Sequence, residues 1–246
     1  MQKPTQLAAT EATLNGSTLR RLAIGARALY TVLRDPNETE QVLILGLALS
    51  RSKFPELLTR FLLSDEGASL LRDQLSINSK AIDFGWLRSL PKGTLGREYI
   101  DFVDREKIDP DFFEPPPGLP EVPTYISQRM RQTHDLWHVL TGYSTDVPGE
   151  LSLQAFTYAQ TDMPPALLVS LFGTLKFAWR DPKLLKMTLD GYRRGRRATF
   201  LPNVRWEDRW ELPIDDVRRE FGILPAEIEP VIWGRDPSKP SHGMSS

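Results

Sequence analysis

Apolar residues recur at helical spacing along the first third of the chain, which predicts a run of amphipathic helices. Ser17 is a suitable N-cap for the first of them, because its hydroxyl oxygen can accept a bond from a free amide at the helix start. The turn formers at 35–37 end that helix. Helices are predicted over about 17–33, from the break to about 49, and over about 53–63 and 65–75.

Prolines and glycines divide the middle of the chain. Those within 91–96 predict a loop, followed by a short helix over about 97–104. A proline-rich stretch at 115–123 is the strongest irregular segment, and it ends just before a predicted helix over 125–138. We interpret it as a surface loop within one domain, with a joint between two domains as the alternative.

Two apolar stretches in the second half, 151–159 and 166–179, predict two further helices separated by a turn at 162–165. A bilayer requires about 20 apolar residues, and each stretch is shorter, as is the apolar run 42–49. The sequence therefore predicts no transmembrane helix. Helices of this length and pattern usually pack a core.

The composition is consistent with one helical domain. The chain has 246 residues, of which 40% are hydrophobic, enough for a substantial core. We predict a single-domain multi-helix bundle over 17–234, between flexible tails at 1–16 and 235–246. The first tail lacks the apolar stretch of a secretory signal.

Charge and cysteine content limit the possible partners and chemistry. A formal net charge of -1 gives no general attraction to nucleic acid, and no nucleic-acid-binding motif is evident, so we predict no nucleic-acid partner. The absence of cysteine excludes disulfides, thiol catalysis and cysteine-bound metal clusters. Any metal in this protein must be held by nitrogen and oxygen.

A cluster of metal-binding residue types lies at the end of the helix predicted over 125–138. It contains His134 and His138, two of the three histidines in the chain. At about 3.6 residues per turn, these two side chains lie on one helix face and can reach one cation. Asp135 is close enough in the helical projection to join the rim of that site or support it. Turn formers at 141–149 would bring Glu150 back toward the histidines.

Imidazole and carboxylate ligands without sulfur suit zinc, iron, cobalt or manganese, and they leave a position for water or a substrate oxygen. The alternative is that the histidines are satisfied by hydrogen bonds in the core, while Asp135 and Glu150 are solvated. A metalloprotease of the His-Glu-x-x-His type fits less well, because Asp135 occupies the place of its catalytic glutamate.

Two further groups of residues are candidates for ligand contacts. The second half of the chain has more apolar side chains than a polar metal site requires, which predicts a hydrocarbon groove beside that site. This lipid-binding set is Phe156, Leu167, Leu168, Leu171, Leu175 and Phe177. The second group consists of arginines, whose guanidinium groups can bind phosphate oxygens of a lipid surface or of a phosphorylated ligand. The alternative is that these arginines are solvated at the end of a helix. This basic set is Arg193, Arg194, Arg196 and Arg197.

The chain resembles a known family, the coenzyme Q (ubiquinone) biosynthesis protein that is fourth in the yeast naming series. The resemblance spans about 91–224, and it depends on several motifs that occur in the same order. They are the Gly93–Tyr99 segment, His134-Asp135-x-x-His138 with Glu150, Gln160 with Pro164, Gly191-x-x-x-Gly195-Arg196, and Trp206-Glu207-x-x-Trp210.

That resemblance implies an all-α fold with a divalent metal, usually taken as zinc, at His134, Asp135, His138 and Glu150. It also implies peripheral membrane association, binding of a polyprenyl chain, and work beside other quinone-biosynthesis proteins. The family has been assigned an oxidative decarboxylation at ring carbon one of a polyprenylated hydroxybenzoate. Asp135 or Glu150 could instead carry a proton, so we treat all four residues as candidate catalytic groups.

Three functional hypotheses follow. The first is a metal-dependent decarboxylase acting on a polyprenylated quinone precursor. The second is a non-catalytic lipid-binding scaffold for the quinone-biosynthesis enzymes, and the third is a hydrolase that uses metal-bound water. Because no basic targeting segment is evident, we expect a bacterial-type protein at the cytoplasmic face of a membrane, where mitochondrial relatives would occupy the inner membrane. A homodimer is a further expectation.

Overall fold

A computed structural model describes residues 17–34, 44–45, 48–50, 53–111 and 120–224. Within these ranges the fold is all-helical and contains no β-strand, only an isolated bridge between Thr94 and Pro213. The helices are α1 Thr18–Arg34, α2 Phe54–Leu62, α3 Asp65–Asp73, α4 Phe84–Ser89, α5 Leu95–Glu106, α6 Glu121–Thr141, α7 Val147–Thr161, α8 Pro164–Phe177, α9 Lys183–Arg197, a 3-10 turn Trp206–Arg209, and α10 Ile214–Glu220.

Most predicted helices are present. The first begins directly after Ser17, whose hydroxyl oxygen accepts a bond from the amide of Arg20 at 3.3 Å. Most of the predicted helix that ends near Leu49, both tails and most of the proline-rich stretch lie outside the described residues. None of the described helices is both long and apolar enough to cross a bilayer.

The region around Gly96 differs from the prediction. Gly96 was expected in a loop, but it lies in the first turn of α5, and the short helix α4 was not predicted. A Cβ at Gly96 would lie 2.8 Å from the side chains of Leu87 and Leu90. The glycine therefore serves close packing of α5 against α4, a requirement that local sequence does not reveal.

Among the described residues the hydrophobic core has two clusters, and the larger one surrounds α6. It joins Trp137 on α6 to Phe156 on α7 and to Trp206 and Trp210 near the C-terminal end. The two tryptophans of the last sequence motif are thus core residues. The smaller cluster packs α2 and α3 against the start of α6.

Helix α9 packs closely against α7 because of two glycines one helical turn apart. A Cβ at Gly191 would lie 2.4 Å from the carbonyl oxygen of Ser152, and one at Gly195 would lie 2.7 Å from that of Phe156. Only glycine permits this backbone approach. The contact fixes α9 beside the helix that carries Glu150.

Candidate metal centre

Two helices joined by a short turn bring the predicted ligands together. His134 and His138 lie one turn apart near the end of α6, and Gly142 ends that helix in the left-handed conformation, with φ 76°. Asp146 caps α7 by accepting a bond from the amide of Gly149 at 3.1 Å. Glu150 therefore lies in the first turn of α7, and the turn returns it to the histidines as the sequence predicted.

The three side chains have the geometry of a metal-binding group. Nε2 of His134 lies 3.4 Å from Oε2 of Glu150, and Nε2 of His138 lies 3.2 Å from Oε1. Each residue offers a ligand atom, and these atoms all lie within 4.8 Å of one another. Two ligand atoms of a tetrahedral zinc ion, at bonds of about 2.1 Å, are separated by about 3.4 Å. Small movements of the side chains would thus complete coordination.

The hydrogen bonding of His138 favours a cation. Its Nδ1 lies 3.0 Å from the carbonyl oxygen of Tyr143, and because a carbonyl can only accept, Nδ1 must carry the proton. In the neutral ring, the Nε2 lone pair then faces Glu150. Nε2 is buried, its contact with Oε1 of Glu150 at 3.2 Å lacks the geometry of a hydrogen bond, and His138 is only 2% exposed. A buried lone pair facing a carboxylate is the arrangement that a metal ion satisfies.

In the absence of a metal, the imidazole and the carboxylate of this group stabilise each other's charged forms. Burial by itself opposes protonation of His138, yet the charge of Glu150 raises the pKa of the imidazole. Burial likewise favours the neutral form of Glu150, but His138 and His134 hold the pKa of that carboxyl well below its usual range. Glu150 is therefore an ionised, half-buried carboxylate, which is the form that binds a metal.

Asp135 does not belong to the three-residue group. Burial lowers the pKa of His138, and the charge of Asp135 adds to that of Glu150 in raising it. Burial and the charge of Asp135 together raise the pKa of Tyr99. The structure thus brings together three of the four predicted ligands and leaves Asp135 beside them. Two histidines and one carboxylate form a known ligand set with open coordination positions.

A cavity of about 580 Å³ opens beside His138. The ring of Phe102 stacks on the imidazole, with 5.7 Å between ring centroids. The walls of this cavity include many polar and charged side chains. They are formed by Glu98, Phe102, Arg105, Glu106, His138, Val139, Gly142, Tyr143, Ser144, Thr145, Asp146, Ile214 and Arg218. Of the three metal-binding residues, His138 is the one that lines this cavity.

The predicted lipid-binding residues do not line this cavity, and they do not form one groove. Phe156 lies in the core, with its ring centroid 6.0 Å from that of Trp137. The other five lie on α8, where Leu167, Leu171 and Leu175 are exposed and the remaining two are half-buried. Helix α8 instead buries small and polar residues, including Ser170 and Thr174.

The predicted basic set is also divided. Arg193, Arg196 and Arg197 are exposed, whereas Arg194 is only 2% exposed and bonds to backbone carbonyls inside the fold. This is the main correction to the phosphate-binding prediction, because a buried guanidinium with internal acceptors cannot contribute to a surface patch. Exposed lysines on α9 extend the remaining set.

Sequence reasoning missed the carbonyl of Tyr143 and most of the cavity wall. A backbone carbonyl leaves no trace in residue identity, so no signal could have revealed the partner of His138. Glu98 lies in the Gly93–Tyr99 motif that contributed to the family resemblance, which was an available signal for that part of the wall.

Comparison with known proteins places these observations in context. The model of the family described as "Coenzyme Q (ubiquinone) biosynthesis protein Coq4" matches residues 11–227. A ubiquinone biosynthesis protein COQ4 homolog, mitochondrial, from Bos taurus is 33% identical over 88% of this chain and 83% of its own length. The Homo sapiens homolog is 33% identical over 84% of this chain and 79% of its own length.

A solved structure shows the same fold. The crystal structure of a putative ubiquinone biosynthesis protein from Nostoc punctiforme has 25% sequence identity and a TM-score of 0.65. The similarity covers 81% of this chain and 96% of that chain.

Proposed function

The chain belongs to the coenzyme Q (ubiquinone) biosynthesis protein Coq4 family, and on that premise we propose that it is a metal-dependent decarboxylase in ubiquinone synthesis. Its substrate would be a polyprenylated hydroxybenzoate, from which it removes the carboxyl group at ring carbon one. The observation that supports this proposal is the His134, His138 and Glu150 group beside a cavity that can admit an aromatic head group.

The residues of the site have distinct roles in this proposal. His134, His138 and Glu150 would hold the divalent metal, which we propose is zinc. When bound, such a metal supplies Lewis-acid stabilisation of the negative charge that develops as carbon dioxide leaves. The carbonyl of Tyr143 fixes the ring orientation of His138 by accepting from Nδ1. Asp135, next to the ligands, is positioned to carry a proton.

The reaction requires an oxidant. Exchange of the ring carboxyl for a hydroxyl breaks the bond to the carboxyl carbon, releases carbon dioxide, forms a C–O bond with an oxygen atom from dioxygen or water, and removes two electrons from the organic substrate. The sequence has no nucleotide-binding fingerprint and no cysteine to bind a redox cluster. Molecular oxygen or a partner enzyme would therefore accept the electrons.

Single-turnover product analysis tests this proposal. Metal-replete protein is incubated with a polyprenylated hydroxybenzoate and oxygen, beside the His134→Ala variant and with bound metal quantified. We expect loss of the ring carboxyl with wild type and not with His134→Ala. A matched control is Gln128→Ala, on the same helix but outside the metal group. Equal turnover by wild type and His134→Ala would contradict the proposal.

The exposed apolar face of α8 favours a second candidate, a lipid-presenting scaffold without turnover. Leu167, Leu171, Phe172 and Leu175 are exposed, and Trp179 just beyond the helix is 83% exposed. Exposed Lys176, Arg180, Lys183 and Lys186 flank this surface. Apolar side chains among cations suit the surface of an anionic membrane.

This second candidate has its own test. We expect the Trp179→Ser variant to sediment less with anionic liposomes than wild type, while Leu63→Ser, at an equally prominent leucine elsewhere, does not change sedimentation. Substrate that co-purifies unchanged, together with liposome binding, would favour the scaffold over the decarboxylase. On either proposal the protein works peripherally at the inner face of a membrane, beside other quinone-biosynthesis proteins. The homodimer stays a prediction.

A further inference from the structure

The last turn of α6 is capped by two arginines from the C-terminal part of the chain. A helix end leaves four carbonyls without partners inside the helix. Here the carbonyl of His138 accepts from the amide of Gly142 at 2.8 Å. Those of Val139 and Leu140 accept from Arg218, each at 3.0 Å. The last carbonyl, of Thr141, accepts from Nη2 of Arg194 at 2.8 Å.

Arg194 holds the turn after α6 at two points. Besides its bond to Thr141, its guanidinium lies 4.9 Å from the ring centroid of Tyr143, in a cation–π contact. Its Nε donates to the carbonyl of Leu224 at 2.9 Å, and this third contact holds the guanidinium in place. Arg194 thus contacts the residues on both sides of Gly142, the residue that reverses the chain.

A short path connects this turn to the metal group. The hydroxyl of Thr141 donates to the carbonyl of Trp137 at 2.6 Å, so residue 141 is fixed from both sides. The carbonyl of Tyr143 accepts from Nδ1 of His138 at 3.0 Å. If residues 141–143 moved, the acceptor that orients the imidazole would move with them.

We propose that Arg194 is a positioning residue for the metal centre, and that it acts by holding Thr141 and Tyr143 so that the Tyr143 carbonyl orients His138. This inference rests on the proposed metal site. It assigns Arg194 a role inside the protein in place of the phosphate contact that the sequence suggested. Groups that orient a ligating histidine typically affect metal affinity about 10- to 100-fold when they are changed.

The shape of the guanidinium explains why an arginine occupies this position. Its rigid fork donates in two directions, to Thr141 and Leu224, while its Cζ lies over the ring of Tyr143. A lysine would keep the positive charge, but it has neither the fork nor the flat face. Arg194→Lys therefore separates loss of charge from loss of geometry.

The test measures binding of Co²⁺, whose visible absorption reports its coordination geometry. Full-length wild type, Arg194→Gln and Arg194→Lys are titrated with Co²⁺, and metal-free melting temperatures are recorded in parallel. Arg196→Gln is the matched control, because it makes the same change at an exposed arginine of the same helix. We expect affinity about 10- to 100-fold lower and an altered absorption spectrum for Arg194→Gln, and wild-type behaviour for the control.

The outcomes distinguish this inference from the proposed function. If wild type binds Co²⁺ and the folded Arg194 variants match its affinity and spectrum, the positioning role is wrong while the metal site stands. If wild type does not bind Co²⁺, both are overturned. If Arg194→Gln does not fold, Arg194→Lys decides by the same criteria, with lower affinity and a changed spectrum supporting the role.

Discussion

The guanidinium of Arg129 and the carboxylate of Glu207 form a two-pronged ion pair, with Nη1–Oε1 at 2.6 Å and Nη2–Oε2 at 2.8 Å. Arg129 also donates to the carbonyl of Val204 at 3.0 Å, and its side chain has 0% exposure. It lies on α6, on the helix that carries both histidines. The pair therefore anchors the metal-binding helix to the 3-10 turn near the C-terminal end.

Removal of that carboxylate should destabilise the fold. In Glu207→Ala the buried guanidinium of Arg129 loses its counter-charge, and loss of one partner of a buried pair typically costs about 3–5 kcal/mol. We expect a decrease of this order in the free energy of unfolding, measured by urea denaturation. Glu211→Ala, at an exposed glutamate close by, is the control and should differ by less than about 0.5 kcal/mol. Equal stability of the two variants would show that the pair contributes little.

Neutralising Glu150 should abolish metal binding. The amide of Glu150→Gln has the shape of the carboxylate but no charge to offer a cation held by His134 and His138. We expect bound metal, measured by elemental analysis after dialysis, to fall to background. Glu121→Gln makes the same change at an exposed site in the first turn of α6 and should retain metal. Full metal content in Glu150→Gln would exclude the carboxylate as a ligand.

Asp135 distinguishes a three-ligand from a four-ligand site. Because Asp135 lies outside the three-residue group, Asp135→Asn should keep nearly all of its bound metal under the conditions in which Glu150→Gln loses it. Turnover of the same variant then reports whether the carboxylate carries a proton. Metal loss as complete as that of Glu150→Gln would restore the four-ligand set implied by the family resemblance.

The close contact of α9 with α7 should not tolerate a methyl group. In Gly191→Ala the new Cβ would lie 2.4 Å from a backbone carbonyl oxygen, which cannot move without displacing α7. We expect a destabilisation of at least about 1–3 kcal/mol by thermal or urea unfolding. In Gly173→Ala the nearest atom is the flexible end of Leu151, so that variant should lose less. A neutral Gly191→Ala would mean that the two helices can separate at little cost.

Stability should depend on pH through Glu66. Burial alone would raise its pKa, but Arg209 and Arg205 lower it below 4.5 by hydrogen bonds and charge. Since the folded pKa lies below the unfolded one, this stabilisation is present above the unfolded pKa and is lost as pH falls through the folded pKa. The unfolding free energies of wild type and Glu66→Gln should therefore differ at about pH 7 and converge as the pH falls through the folded pKa of Glu66. A difference that is independent of pH would contradict this role.

Several features of this protein follow from local sequence. Helical periodicity predicted α1, α2 and α3 to within about two residues at each end, because amphipathic spacing and capping act within one or two turns. The four-residue spacing of His134 and His138 placed both imidazoles on one face for the same reason. The turn formers at 141–149 correctly predicted that Glu150 returns to them.

Only the tertiary structure decided which groups complete the metal centre and which predicted ligand-contact residues lie elsewhere in the fold. Arg194 looked like part of a surface patch, but contacts with Thr141 and Leu224, far away in sequence, bury it. Phe156 was likewise predicted to contact a lipid, but it lies in the hydrophobic core. The partner of His138 is a backbone carbonyl, which every residue has and which only a particular turn can aim. Local spacing fixes which side chains share a helix face, whereas burial and long-range hydrogen bonds depend on how the helices pack.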